Sequence, residues 1–147
     1  YTTPILGSVP VKNADGDPLN TFERDSQGHI LILPYHQRAM ASKTLPMIGK
    51  EKSLARHIGW STIRLSVNGN LSIVEHGIVD EEGQRGKGLR RSERLSDPID
   101  FVIRANVPTT TLALDEFFRL LRTAGEFTRL SPGRSAGFGE FEVLGTE

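Results

Sequence analysis

The chain contains no cysteine. Disulfides, thiolate nucleophiles and sulfur-ligated zinc are therefore excluded, and the redox compartment stays open. Net charge is also absent: 18 Lys and Arg balance 18 Asp and Glu. A general electrostatic binder of nucleic acid carries a basic excess, so any such binding here must use a local strip. No apolar run approaches the ~20 residues that a membrane span needs, so no membrane partner is expected and a cytoplasmic setting is. Histidine is sparse, and His29, His36, His57 and His76 show no paired metal-ligand spacing. No cofactor is expected. There is no G-x-S-x-G elbow. Gly83 to Gly88 is glycine-rich but lacks the spacing of a phosphate loop and the apolar helix that would follow one, which removes nucleotide hydrolysis.

What remains is an ordinary globular composition, with 37% apolar and 24% charged residues over 147 positions. This length suits one domain, 1–147. The chain begins at Tyr1 rather than Met, so a preceding segment is expected.

Tyr1 to Leu6 is rich in β-formers and reads as a strand. Gly7 to Gly28, with Gly16, Pro18 and several Asp and Asn, reads as a long loop. His29 to Leu33 is a short strand. Tyr35 to Leu45 holds helix formers between Pro34, suited to a helix start, and Pro46, which limits continuation. Lys50 to Gly59 reads as no more than a helical turn. Ile63, Leu65 and Val67, then Asn68-Gly69, then Leu71, Ile73 and Val74 carry a hairpin signal. Ile99, Phe101 and Ile103 resume strand alternation to Val107. A second helix follows, with Thr111 as N-cap, Asp115 and Glu116 near its positive end and Gly125 as its stop. Leu114, Phe117, Phe118 and Leu121 recur at helical spacing and predict one buried face. Phe138, Phe141 and Val143 form a closing strand.

With one uncertain strand set aside, this order is βαββαβ. The expected fold class is α+β: a ferredoxin-like, RRM- or RAMP-like antiparallel sheet with two helices on one face.

Two stretches could contact phosphate. From about 80 to 96 the chain loses its apolar residues and carries Arg85, Lys87, Arg90, Arg91 and Arg94 among glycines. It reads as a flexible basic insertion, either a solvated loop or a segment that orders on a nucleic-acid backbone. Near the end, Gly133, Arg134, Gly137 and Gly139 form a turn in which one guanidinium sits beside exposed backbone N–H groups. Asp15, Asp17 and Asp25 are carboxylates of the first long loop. They could hold Mg²⁺, or they could simply form turns.

Three motifs together resemble the RAMP superfamily, RNA-binding proteins best known as backbone subunits of CRISPR effector complexes. Thr3-Pro-Ile-Leu-Gly-Ser8 is similar to the first strand and glycine of those subunits. Phe22-Glu-Arg-Asp25-Ser-Gln-Gly28-His-Ile-Leu-Ile-Leu33, followed by a helix, resembles their Arg-Asp, Gly, strand, helix pattern. Gly133-Arg-Ser-Ala-Gly137-Phe-Gly139 after the last helix resembles their glycine-rich loop. The resemblance implies an antiviral-defence role in which Gly133, Arg134 and Gly137 contact guide-RNA phosphates. It adds Arg38 and Lys43 of the first helix to the same groove and makes the 80–96 segment a thumb-like insertion. Some family members cleave RNA with a loop aspartate, for which Asp17 or Asp25 is the nearest match. Pro34-Tyr-His-Gln-Arg38 departs from the family's Pro-Gly-Ser-Ser-type turn, and both the short length and the neutral charge are unusual, as a small or viral homologue would be.

The expected function is thus an RNA or single-stranded nucleic-acid backbone-binding module, more readily non-enzymatic, that self-associates or joins other subunits. The alternatives are a viral or phage assembly protein whose 80–96 arm grips a neighbouring subunit, and a metal-dependent ribonuclease using Asp17 and Asp25.

Overall fold

Pro34 opens the central helix with its φ already set for a helix. In the computed structural model, which describes residues 5–6, 9–12, 18–65, 72–79, 85–95, 99–131 and 139–145, this helix is α1, Pro34–Thr44. It buries Gln37, Met40, Ala41 and Thr44, the i, i+3, i+4, i+7 stripe of a core-facing helix. Two of the four are polar, and each makes a side-chain hydrogen bond, although Gln37 Oε1 has no partner among the described residues. The Gln37 amide Nε2 donates to the Ser61 carbonyl at 2.7 Å. The Thr44 hydroxyl bonds the Met40 carbonyl at 2.8 Å and the Thr128 hydroxyl at 2.6 Å. The chain then tightens into a 3₁₀ turn, Leu45–Ile48, which ends at Gly49 in the left-handed region (φ 76°). A second 3₁₀ segment, Lys52–His57, occupies the stretch expected to hold a helical turn.

The fold is mixed α/β, and the described strands divide among three small sheets. Glu23–Arg24 (β4), Ile30–Ile32 (β5) and Ile63–Arg64 (β7) form an antiparallel set with β5 in the middle. Gly59–Trp60 (β6) pairs with Ala105–Asn106 (β10). The largest sheet has five strands: Ile5–Leu6 (β1), Val9–Lys12 (β2), Pro18–Thr21 (β3), Ser72–Val79 (β8) and Arg85–Leu95 (β9). β9 is its hub. It pairs antiparallel with β8 and β1 and parallel with β3, and β2 lies beyond β3 at the edge.

Several expectations change. The stretch 7–28, read as a loop, contains the paired strands β2 and β3 and the short strand β4. Pro10 and Pro18 masked the Val9, Val11, Leu19 alternation, yet neither breaks the sheet. Pro10 lies on the edge strand and Pro18 opens its strand, the two places where a missing N–H is tolerated. The basic stretch, expected as a flexible insertion, contributes an 11-residue strand. The two runs around Asn68-Gly69 pair elsewhere among the described residues: β7 joins β5 and β8 joins β9. The Asn-Gly step itself lies outside the described residues. β5 and β7 flank α1 but are antiparallel neighbours. A split βαβ unit would instead hold them parallel around a third strand. Residues 99–107 keep their alternation in burial, although only Ala105–Asn106 joins a ladder.

The second helix, α2, runs Leu114–Thr123. Its N-terminal boundary is Ala113, whose N–H donates to Glu116 Oε1 at 3.0 Å, so Thr111 is not the cap. Glu116 also pairs with Lys50, the residue following the first 3₁₀ turn and Gly49. The buried face comprises Leu120 and Leu121 with the half-buried Phe117; Leu114 is 70% exposed, against expectation. Gly125 does not stop the helix. Ala124–Thr128 continues as a π-turn that ends at Arg129, which holds a positive φ of 68°.

Gly125 has a different task. Its carbonyl accepts the Phe141 N–H at 3.1 Å, and a Cβ at position 125 would collide with the Phe141 carbonyl. Phe141 is buried and packs edge-on against Phe101, 5.7 Å between ring centroids. The close approach brings residues 139–145 onto the core. Gly125→Ala is expected to lower unfolding free energy by about 1–3 kcal/mol, the usual cost of overpacking. Gly145→Ala, at a position with no atom near its would-be Cβ, should stay within about 0.5 kcal/mol. Equilibrium urea denaturation distinguishes the two.

Candidate nucleic-acid interface

The residues expected to touch phosphate are distributed over three parts of the chain. Arg38 and Lys43 both lie on α1. Arg38 is exposed and Lys43 half-buried. They are five positions apart, about 140° around a helix with 3.6 residues per turn. One groove therefore cannot take both along a single helix face. The helix opening carries no acidic residue, Leu33 supplies no side-chain cap, and the rings of Tyr35 and His36 sit 4.0 Å apart at its first turn.

Asp25 is a turn-former. It ends the segment after β4, and its Oδ1 accepts the N–H groups of Gln27 and His29, both at 2.9 Å. Its backbone N–H donates to the His29 carbonyl at 3.0 Å, closing the turn into β5. Gly28 takes a positive φ of 84° inside this turn. Arg64 of β7 covers the carboxylate, with Nε 2.9 Å from Asp25 Oδ2. The same guanidinium donates from Nη2 to Gln27 Oε1 and to His29 Nδ1, both at 2.6 Å. Partial burial raises the Asp25 carboxyl. The two N–H bonds and the Arg64 charge outweigh that and hold it below its ordinary value. A carboxylate with its oxygens occupied in this way is a poor metal ligand or base. Among the described residues, no group of three His, Asp or Glu could hold a metal ion. Asp17 lies outside the described residues.

The basic strand is the richest feature. β9 carries Arg85, Lys87, Arg90, Arg91 and Arg94. Register sets Arg94 opposite Ser72, Arg91 opposite Glu75, Arg90 opposite His76 and Arg85 opposite Val79. From Gly77 to Val79 is two steps, while their partners Leu89 and Arg85 are four apart, so β9 carries two extra residues there. Gly86, Lys87 and Gly88 fall in this irregularity, which glycine accommodates readily. Arg94 is half-buried, and its Nε has no hydrogen-bond partner among the described residues. Sequence reading found these arginines but missed that Glu75 and His76 stand opposite two of them, because that follows only from the pairing of β8 with β9.

Gly133, Arg134 and Gly137 lie outside the described residues. The neck of their loop is described: the Leu130 N–H donates to the Gly139 carbonyl at 2.9 Å. Gly139 holds a φ of 86°, and a Cβ there would come within 2.7 Å of the Ser131 nitrogen. This glycine is required by geometry, whatever the loop binds.

A separate apolar groove of about 1140 Å³ runs between residues 99–107, α2 and residues 141–145. Phe117, Phe118 and Leu121 form part of its wall, and Leu114 and Leu144 stand exposed at its rim. None of the expected phosphate-contacting residues lines it.

Because the folded Asp25 carboxyl titrates below its ordinary value, its contribution to stability is present above that value. The contribution is lost as pH falls through the lower, folded one. Asp25→Asn should therefore be less stable than the parent at pH 6, and its stability should fall less steeply below pH 4. Urea denaturation across that range checks this, and equal slopes would refute the turn role.

Comparison with known proteins adds no assignment: no protein-family model matches the chain, and no curated protein sequence matches it.

Proposed function

We propose that the chain is a backbone-binding module for RNA or another single-stranded nucleic acid, of the RAMP-like kind that holds a guide strand within a larger effector complex. One observation carries this reading. Five of the 11 residues of β9 are Arg or Lys against one Glu, and that strand is the hub of a paired sheet. A sheet presents cations at fixed spacing, so ordering them costs less on binding than ordering a free loop would. The zero net charge is then a matter of distribution, with cations concentrated where a phosphate chain would lie.

The reading includes the ferredoxin-like core. β5, α1, β7 and α2 match part of a βαββαβ order, whereas residues 99–107 contribute only Ala105–Asn106 as strand and residues 139–145, expected as the closing strand, form none. The antiparallel neighbours β5 and β7 are a departure, and a thumb built from β8 and β9 is an addition. Backbone contacts carry no sequence information, so different RNA homopolymers should bind within a few-fold of one another. Self-association or docking to other subunits belongs to the same reading, and oligomers that survive nuclease treatment would support it. The ribonuclease alternative draws no support from the occupied Asp25 carboxylate.

Fluorescence anisotropy with a labelled single-stranded RNA tests the proposal. Log affinity should fall linearly with log salt at about −0.7 per phosphate contact. For four contacts this is roughly a 50-fold loss between 50 and 200 mM salt. Absence of binding at 20 mM salt, or affinity indifferent to salt, would overturn it.

A further inference from the structure

Among the described residues β10 pairs with β6 alone, so one of its edges is open. Hydrogen bonding fixes which backbone groups face that edge. The Ser61 N–H donates to the Arg104 carbonyl at 2.9 Å, so Arg104 and, two residues on, Asn106 turn their backbone groups toward β6. Ile103, Ala105 and Val107 therefore turn theirs the other way. No hydrogen bond satisfies these groups among the described residues. Pro108, which has no N–H, ends the edge.

The same three residues are half-buried and line the apolar groove of about 1140 Å³. Phe117 and Phe118 of α2 line it too, with Leu114 and Leu144 exposed at its rim. A half-buried apolar face beside an open row of N–H and C=O groups is what a sheet lacking one strand presents. A compact apolar ligand would fill the groove but leave the backbone groups unmet. The volume also exceeds the ~300–1,000 Å³ usual for such ligands. An added strand meets both needs: its alternate side chains enter the groove while its backbone pairs with the edge.

We infer that the open edge of β10 takes an extended segment of a partner protein, added as a strand along Ile103, Ala105 and Val107. Directly opposed residues share a face, so the groove calls for apolar residues at alternate positions of that segment. Charge sets the position between them. Arg104 is exposed and has no ion pair among the described residues, so its cross-strand neighbour is acidic. A second copy of the same edge fits less well. Antiparallel registers centred on Ile103, Arg104 or Ala105 set Arg104 against Val102, Arg104 or Asn106, none of them acidic. The edge is a surface separate from the basic strand, so it stands or falls apart from the nucleic-acid reading.

Fluorescence anisotropy of the full chain with a labelled peptide of about seven residues tests this. The peptide alternates Val and Thr around a central Glu. It should bind, and a version methylated on its backbone nitrogens should bind far less. Ala105→Pro removes an N–H that β6 does not use, a change that a strand edge tolerates. It should weaken binding about two- to tenfold, with the melting curve of the parent. Arg104→Glu should reverse the preference between Glu- and Lys-centred peptides. Leu114→Asp, at the exposed rim, repeats the test should the proline unfold the chain. No binding of the Glu-centred peptide, equal binding of the methylated one, or an unchanged preference in Arg104→Glu would overturn the inference. So would dimers of the chain that dissociate on Ala105→Pro, which would give the edge to a second copy. RNA binding should be the same in every variant except Arg104→Glu, whose charge change alone shifts it slightly.

Discussion

Burial of Leu95 is the constraint on which the account depends. It sits at the end of the strand that every other part of the five-stranded sheet adjoins, directly or through β3. Because the side-chain period in a strand is two, fixing one residue inward fixes the whole strand and, through register, its partners. A slip of one residue would move Leu95 out of the core, so its burial also holds the pairing of β9 with β8 and β1.

The remainder of the chain is held by contacts of another kind. α1 meets its neighbours partly through polar groups, Gln37 to Ser61 and Thr44 to Thr128. Such bonds add specificity, since a buried hydroxyl or amide left without its partner is costly. Gly125 admits the Phe141 backbone where any side chain would exclude it. Asp25 fixes the turn that launches β5, the strand leading into α1. The Asp25 carboxylate, open to a functional reading from sequence, has structural work here, as do Gly125 and the buried threonines.

Local patterns were legible in the sequence. Pro34 and the residues after it foretold α1, and His29 to Leu33 contained β5. The cations of β9 were evident from composition alone. What could not be read was partnership. Asn20 and Ser92 are 72 residues apart and pair in parallel, and no local periodicity reports such a contact. Pro18 argued for a loop because the first-residue exception depends on a sheet not yet known. On α2, helical spacing alone could not tell that Leu114 faces outward while Leu120 faces the core. The strand partners of the arginines were out of reach for the same reason: they follow from register, and register is non-local.

Ultraviolet cross-linking of the full chain to a uridine-rich single-stranded RNA, with the attached peptides identified by mass spectrometry, bears most directly on where the nucleic acid lies. The account predicts attachment within residues 9–12, 72–79 and 85–95. Attachment confined to residues 99–107, α2 and residues 141–145, with none on the five-stranded sheet, would contradict it.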